Sequence, residues 1–202
     1  MTTRLHGLLL AGGKSSRMGR DKASLVVFGS GPTQAQRAVA LLRKFCARTC
    51  ISLRPGQAVP AGLEAMPVLQ DSPLAQGPLA GILAAFEEDP GASWLVLACD
   101  LPFVSGELLA LLVARHVAGP ATPFLAFASS GDGLPEPLCA IYGPAAWPIL
   151  KRHAARGHFC PRHIMAEENA ALLQLPEGAA GALTNLNTLQ DLEKAIEAVP
   201  RD

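Results

Sequence analysis

Residues 5–22 read LHGLLLAGGKSSRMGRDK, and the two parts of this stretch need opposite surroundings. LHGLLLA (5–11) is a short apolar run of the kind that forms a strand buried on both faces. The thirteen residues from Leu10 to Lys22 hold three glycines, two serines and four cations, too polar and too flexible for a core. A buried strand that feeds such a segment puts it at a strand's carboxyl end, where parallel α/β sheets bind their ligands.

The same alternation continues downstream. TCISL (49–53), MPVL (66–69) and WLVLAC (94–99) read as further buried strands bounded by turns or helices. Between them, TQAQRAVALLRKFCAR (33–48) sets Val39, Leu42 and Cys46 on one helical stripe. PLAGILAAFEE (78–88) opens with a first-turn proline, and SGELLALLVARH (105–116) offers Ser105 as N-cap. This rhythm predicts an α/β fold of three layers, a mainly parallel sheet with helices on both faces. PFLAFAS (123–129) and LCAIY (138–142) read as strands flanking the turn-rich SGDGLPEP. Helices near 144–154 and 159–168, a strand at 172–175 and a last helix opened by Thr188 follow. No loop is long enough for a domain linker, so residues 1–202 are read as one domain.

Composition narrows the partners. Lys+Arg and Asp+Glu balance at 17 each, so no global field steers the chain to nucleic acid or anionic lipid. Neither a membrane-length apolar run nor a signal-peptide pattern is present, which sets the expectation of a cytoplasmic protein. Five cysteines without C-x-x-C spacing argue against a disulfide framework or a zinc site. Cys46 and Cys50, four apart and able to share a helix face, read as buried small hydrophobes. His158, Cys160 and His163 in HFCPRH lack a fourth partner at metal-ligand spacing.

Gly12 and Gly13 let backbone N–H groups approach a ligand closely, and such groups form an anion-binding nest suited to phosphate. Arg17 and Lys22 add positive charge at two points of the loop, as several phosphates and a charged transition state require. The spacing meets neither the Walker pattern nor the G-x-G-x-x-G dinucleotide pattern.

LAGGKSSRMGRDK closely resembles the signature loop of the nucleotidyltransferases related to molybdenum cofactor guanylyltransferase. Further similar strings follow in that family's order: QDSPLAQGPLAGI (70–82), LACDLP (97–102), PEPLCAIY (135–142) and TNLNTLQDL (184–192). The resemblance implies a Rossmann-like nucleotidyltransferase fold, a nucleotide-binding half over about 1–120 and an acceptor-binding half over about 121–202. It implies transfer of GMP from Mg-GTP to the terminal phosphate of molybdopterin cofactor, with a molybdoenzyme maturation protein as a possible docking partner. Relatives that use CTP or another phosphorylated acceptor, and non-catalytic accessory proteins that keep the loop, are the alternatives.

Residue by residue, the resemblance implies catalytic roles for Arg17, Lys22 and Asp100, and nucleotide binding by Leu10, Ala11, Gly12, Gly13, Lys22, Ser52, Asp71 and Asp100. Asp100 follows WLVLAC, so its carboxylate emerges at a strand's carboxyl end as the natural Mg²⁺ ligand. Asp71 follows MPVL and corresponds to an aspartate at the nucleoside end of the relatives' site. Asn185 and Asn187 in TNLNT fit the family's N-x-N-T string, with one amide serving the cation or the acceptor phosphate. Gly77 and Gly81 in GPLAG let a helix N-terminus come close to the nucleotide. Ser52 stands where some guanylyltransferases carry a nucleoside-contacting asparagine, while LAGG and GPLAG favour guanine. Arg152, Arg156, His158 and Arg162 are near enough in sequence to supply cations for a pterin phosphate.

Overall fold

The structure is a computed structural model and describes residues 4–12, 22–186 and 191. Gly13, Arg17, Asn187 and the helix expected from Thr188 lie outside the described residues.

Within the described residues the strands are β1 (Leu5–Leu10), β2 (Arg48–Leu53), β3 (Val68–Gln70), β4 (Ser93–Ala98), β5 (Phe124–Ala128), β6 (Pro135–Tyr142) and β7 (Ala171–Leu173). The helices are α1 (Gln34–Leu42), α2 (Pro78–Glu88), α3 (Gly106–Ala118), α4 (Ala146–Ala155) and α5 (Pro161–Glu167). All seven strands join one sheet in the order β3-β2-β1-β4-β6-β5-β7. β1 pairs in parallel with β2 and β4, and β2 with β3. β6 runs antiparallel to both β4 and β5, so the sheet is mainly but not wholly parallel.

Strand side chains alternate between two helical layers. Leu9, Ile51, Leu95, Leu97 and Ile141 pack with α1 and α3 on one face. Leu8, Leu10, Val96, Ala140 and Tyr142 pack with α2, α4 and α5 on the other. Both faces of β1 and β4 are therefore covered, which is why LHGLLL, His6 apart, and WLVLA are apolar throughout.

Several boundaries differ from the periodicity. The first helix ends at Leu42, not 48, because β2 already pairs with β1 at His6↔Arg48 and the chain must turn before it. Phe45 and Cys46 keep the apolar period by packing from that turn against the same layer. Cys50 consequently shares no helix with Cys46 but lies in β2, and both are buried free thiols. Burial pushes the Cys46 thiol up to about 12, so it stays protonated as a small hydrophobe.

At its N-terminus, Thr33 lies outside this helix as its cap, in a reciprocal capping box with Gln36. β6 reaches back to Pro135, where the register with β5 shifts between Ala126 and Ala128. A proline at a strand's first residue and next to an irregularity removes no needed ladder bond.

Candidate active site

β1 and β4 lie side by side in parallel, but the chain leaves β1 towards β2 and leaves β4 towards the opposite half of the sheet. A crevice opens where connections diverge in this way, outside the strands' carboxyl ends. Leu10, Ala11 and Gly12 enter it from β1, Ser52 from β2, Asp71 just past β3, and Asp100 just past β4.

Backbone bonds hold these strand ends level. The Ala11 N–H donates to the Ser52 carbonyl at 3.3 Å, and the Cys99 N–H to the Leu10 carbonyl at 3.3 Å. The Asp71 N–H donates to the Leu53 carbonyl at 2.9 Å. Ser52, only 1% exposed, donates its hydroxyl to Asp71 Oδ1. That bond uses one carboxylate oxygen of Asp71 and leaves Oδ2 facing Gly12, 3.3 Å from where a Cβ on Gly12 would stand. A side chain at Gly12 would fill the space between the first loop and Asp71.

The α2 helix is set against this corner by Gly81. A Cβ there would come within 2.3 Å of Ser52 Oγ and 2.7 Å of Leu10 Cδ2. Gly77 caps the helix at φ +62°, a left-handed conformation that directs the chain from Asp71 into α2. The close packing expected of GPLAG thus falls on Gly81, and the turn on Gly77.

Asp100 is half-buried, and its carbonyl accepts the Leu186 N–H at 2.8 Å. Leu186 is buried against Val27, with Phe28 and Phe103 packed around them. This small apolar plug fastens the TNL segment beside the β4 loop, with Asn185 one residue from the bond to Asp100. Asn185 Oδ1 is buried with no hydrogen-bond partner among the described residues. A buried amide oxygen in that condition is costly unless a cation or donor meets it. The carboxylate of Asp100 and the amide oxygen of Asn185 are both hard oxygen donors, the type that would suit a divalent cation such as Mg²⁺.

Glu136 completes this edge. Continuing the antiparallel register outward from Leu97↔Cys139 brings Asp100 level with Glu136. Burial raises the Glu136 carboxyl above the ordinary glutamate value, and the Asp100 and Asp132 charges raise it further. The Leu138 N–H, donating to Glu136 Oε1 at 2.9 Å, and the Arg162 guanidinium act in the opposite direction.

The expected nucleotide-binding residues Leu10, Ala11, Gly12, Ser52, Asp71 and Asp100 are thus together on one edge. Lys22 begins a 3-10 turn, Lys22–Ser24, that returns the loop to the domain; its side chain lies outside the described residues. The proposed acceptor cations are dispersed. Arg152 pairs with Glu168 and Arg162 with Asp132 at 2.6 Å, while Arg156 caps the end of α4.

Two residues at the site carried no signal of their own. Glu136 was visible only as part of PEPLCAIY, because its neighbour Asp100 is set by the β4–β6 register. Gln57 lies in a turn-rich loop, yet its amide donates to the Ala11 carbonyl at 2.9 Å and accepts from the Arg54 N–H at 3.3 Å. An amide alone among Pro and Gly residues gives no sequence pattern that marks such a brace.

The family model described as a MobA-like NTP transferase domain matches residues 7–172. A Synechocystis molybdenum cofactor biosynthesis bifunctional protein is 34% identical over 189 residues, which cover 94% of this chain and 53% of that protein. The chain therefore spans about half the length of this relative. A probable molybdenum cofactor guanylyltransferase from Chloroflexus aggregans is 32% identical over 203 residues, covering 96% of this chain and 94% of the relative. The crystal structure of molybdopterin-guanine dinucleotide biosynthesis protein A from Archaeoglobus fulgidus has a TM-score of 0.76 at 25% identity, covering 95% of this chain and 97% of that one.

Proposed function

The chain belongs to the MobA-like NTP transferase family and is a nucleotidyltransferase, and we propose that it transfers GMP from Mg-GTP to the terminal phosphate of molybdopterin cofactor, releasing pyrophosphate. The observation that carries this reading is the convergence of Gly12, Ser52, Asp71 and Asp100 on one sheet edge, with Asn185 fastened beside Asp100. The relatives named as molybdenum cofactor guanylyltransferases support the choice of guanine and of the acceptor.

In this reading the triphosphate lies against the backbone of Gly12 and Gly13, and Arg17 and Lys22 neutralise charge that builds on the phosphoryl oxygens. Leu10 and Ala11 border the nucleoside through their backbone, and Ser52 acts on it through Asp71. Asp71 Oδ1 is held by Ser52, which leaves Oδ2 to accept from an N–H or O–H of the nucleoside. Asp100, with Asn185 beside it, would hold a Mg²⁺ ion, which supplies charge neutralisation at the α-phosphate when bound.

The acceptor approaches from the half comprising residues 121–202, with Asn187 and Arg162 serving its phosphate. An acceptor oxygen forms the new bond to the α-phosphorus, and the bond to the bridging oxygen breaks with its electron pair leaving on pyrophosphate. A phosphate monoester is already ionised at neutral pH, so no side chain need remove a proton, and positioning and charge carry the rate. The five cysteines, present as thiols and not as disulfides, fit a reducing cytoplasm, where a maturation protein would collect the product. No helix among the described residues is long and apolar enough to cross a membrane.

Pyrophosphate release with molybdopterin as acceptor, measured across the four ribonucleoside triphosphates, tests the proposal. GTP is expected to be preferred at least about tenfold, the discrimination expected of a site whose buried polar groups pair with one base. Equal or better turnover of CTP would overturn the base assignment, and turnover with no dependence on molybdopterin would overturn the acceptor.

A further inference from the structure

A second cluster lies away from the nucleotide edge, at the corner between α4 and α5. His153 lies in the last turn of α4 and is 4% exposed, and its Nδ1 is buried with no hydrogen-bond partner among the described residues. Its other ring nitrogen, Nε2, lies 2.9 Å from Glu168 Oε1, which also takes the Arg152 guanidinium. A carboxylate can only accept, so Nε2 carries the proton and Nδ1 of the neutral ring presents a lone pair. This is the arrangement that orients metal-ligating histidines, with one nitrogen donating to a carboxylate and the other left for the ion.

The backbone brings two further donors near this ring. After α4 the chain makes a Schellman turn, with the His158 N–H donating to the His153 carbonyl at 3.0 Å and the Gly157 N–H to the Ala154 carbonyl at 2.9 Å. Gly157 sits at φ +76°, as the turn requires, and the reversal folds His158 back onto His153 with ring centroids 5.9 Å apart. From the last turn of α5, Glu167 Oε2 stands 3.6 Å from His153 Nδ1, too far for a hydrogen bond. One ligand atom from each of His153, His158 and Glu167 falls within 4.8 Å of the other two. In a tetrahedral site with bonds of about 2.0–2.2 Å, donors stand about 3.3–3.6 Å apart. Exposed His158 and Glu167 can close the difference by rotating, while buried His153 stays fixed.

We propose that His153, His158 and Glu167 form a binding site for a borderline divalent metal ion of the zinc, cobalt and nickel class, separate from the nucleotide site. Two imidazoles and one carboxylate select such ions over Mg²⁺. Three protein ligands leave one coordination position open. His158 and Glu167 also line a cleft of about 490 Å³ with Leu134, Phe159, Cys160 and His163, so the open position is reached from solvent. In the sequence, His158, Cys160 and His163 lacked a fourth partner at metal-ligand spacing; the fold pairs His158 with a histidine from the preceding helix and a glutamate from the following one. The competing arrangement is an imidazolium at His153 held between Glu167 and Glu168, which would bind no metal.

The test uses tag-free full-length protein in excess Mg²⁺, titrated with Co²⁺ by visible absorption and with Zn²⁺ by calorimetry. One equivalent of Co²⁺ giving tetrahedral d–d bands, displaced by Zn²⁺, is expected. His158→Ala and Glu167→Gln, both at exposed positions, are expected to weaken Zn²⁺ binding at least about tenfold, and Glu168→Gln about 10–100-fold through the second nitrogen. Cys160→Ser and Asp100→Asn are expected to bind as the unaltered chain does. Absence of d–d bands would overturn the proposal, as would unchanged binding in both His158→Ala and Glu167→Gln, or a comparable loss in Cys160→Ser or Asp100→Asn.

Discussion

The backbone N–H of Leu186 donates to the carbonyl oxygen of Asp100 at 2.8 Å, and this bond joins the segment that follows β7 to the loop after β4. Because Leu186 is itself 1% exposed, Asn185 is held in place by its neighbour's burial. Asp100→Ala is expected to lower kcat at least about 10²–10³-fold without lowering the melting temperature, since the side chain belongs to the crevice and not the core. Asn185→Ala is expected to raise the Mg²⁺ concentration for half-maximal rate about tenfold. Steady-state kinetics across a Mg²⁺ titration check both; an unshifted Mg²⁺ dependence in Asn185→Ala would exclude that residue from holding the ion.

Ser52 and Asp71 act as a unit in which the hydroxyl orients the carboxylate. Ser52→Ala and Asp71→Asn are therefore expected to raise KM for GTP about 3–30-fold, and the double variant to cost less than the product of the two single effects. A double-variant cycle on kcat/KM measures this. Full additivity would mean that the two side chains serve the nucleotide separately.

Gly81 is set by space. A methyl group there would overlap Ser52 Oγ at 2.3 Å and press on Leu10 Cδ2 at 2.7 Å. Gly81→Ala is expected to destabilise the fold by about 1–3 kcal/mol through overpacking and to weaken GTP binding by displacing Ser52. Denaturant unfolding together with nucleotide titration reads both effects.

Glu136 makes stability depend on pH. Its carboxyl is raised in the folded protein, chiefly by burial, so the folded state holds its proton more tightly than the unfolded chain. Its contribution to stability is complete below the ordinary glutamate value and is lost as pH rises through the folded one. Glu136→Gln keeps the oxygen that accepts the Leu138 N–H and removes the titration. In metal-free buffer, unfolding midpoints of this variant are expected to exceed those of the unaltered chain at neutral pH and to vary less from mildly acidic pH upward. A variant that is less stable at neutral pH would show that Glu136 is stabilised as a charged group by Arg162.

Local features of the sequence determined the sheet's first four strands, the two helical layers and the edge that gathers the candidate site, because each follows from short-range chemistry. Apolar runs of strand length mark buried strands, and a glycine-rich cationic stretch after one of them marks a ligand edge. Gly81 and Gly77 were legible in the same way, as residues that permit what a side chain forbids. Only the tertiary structure decided that β6 enters antiparallel between β4 and β5, which sets Glu136 level with Asp100. It alone decided that Leu186 fastens Asn185 to the same place, and that His153, His158 and Glu167 meet across a helix corner. Strand register and helix packing are fixed by contacts between residues far apart in the chain, and no spacing within a single element encodes them.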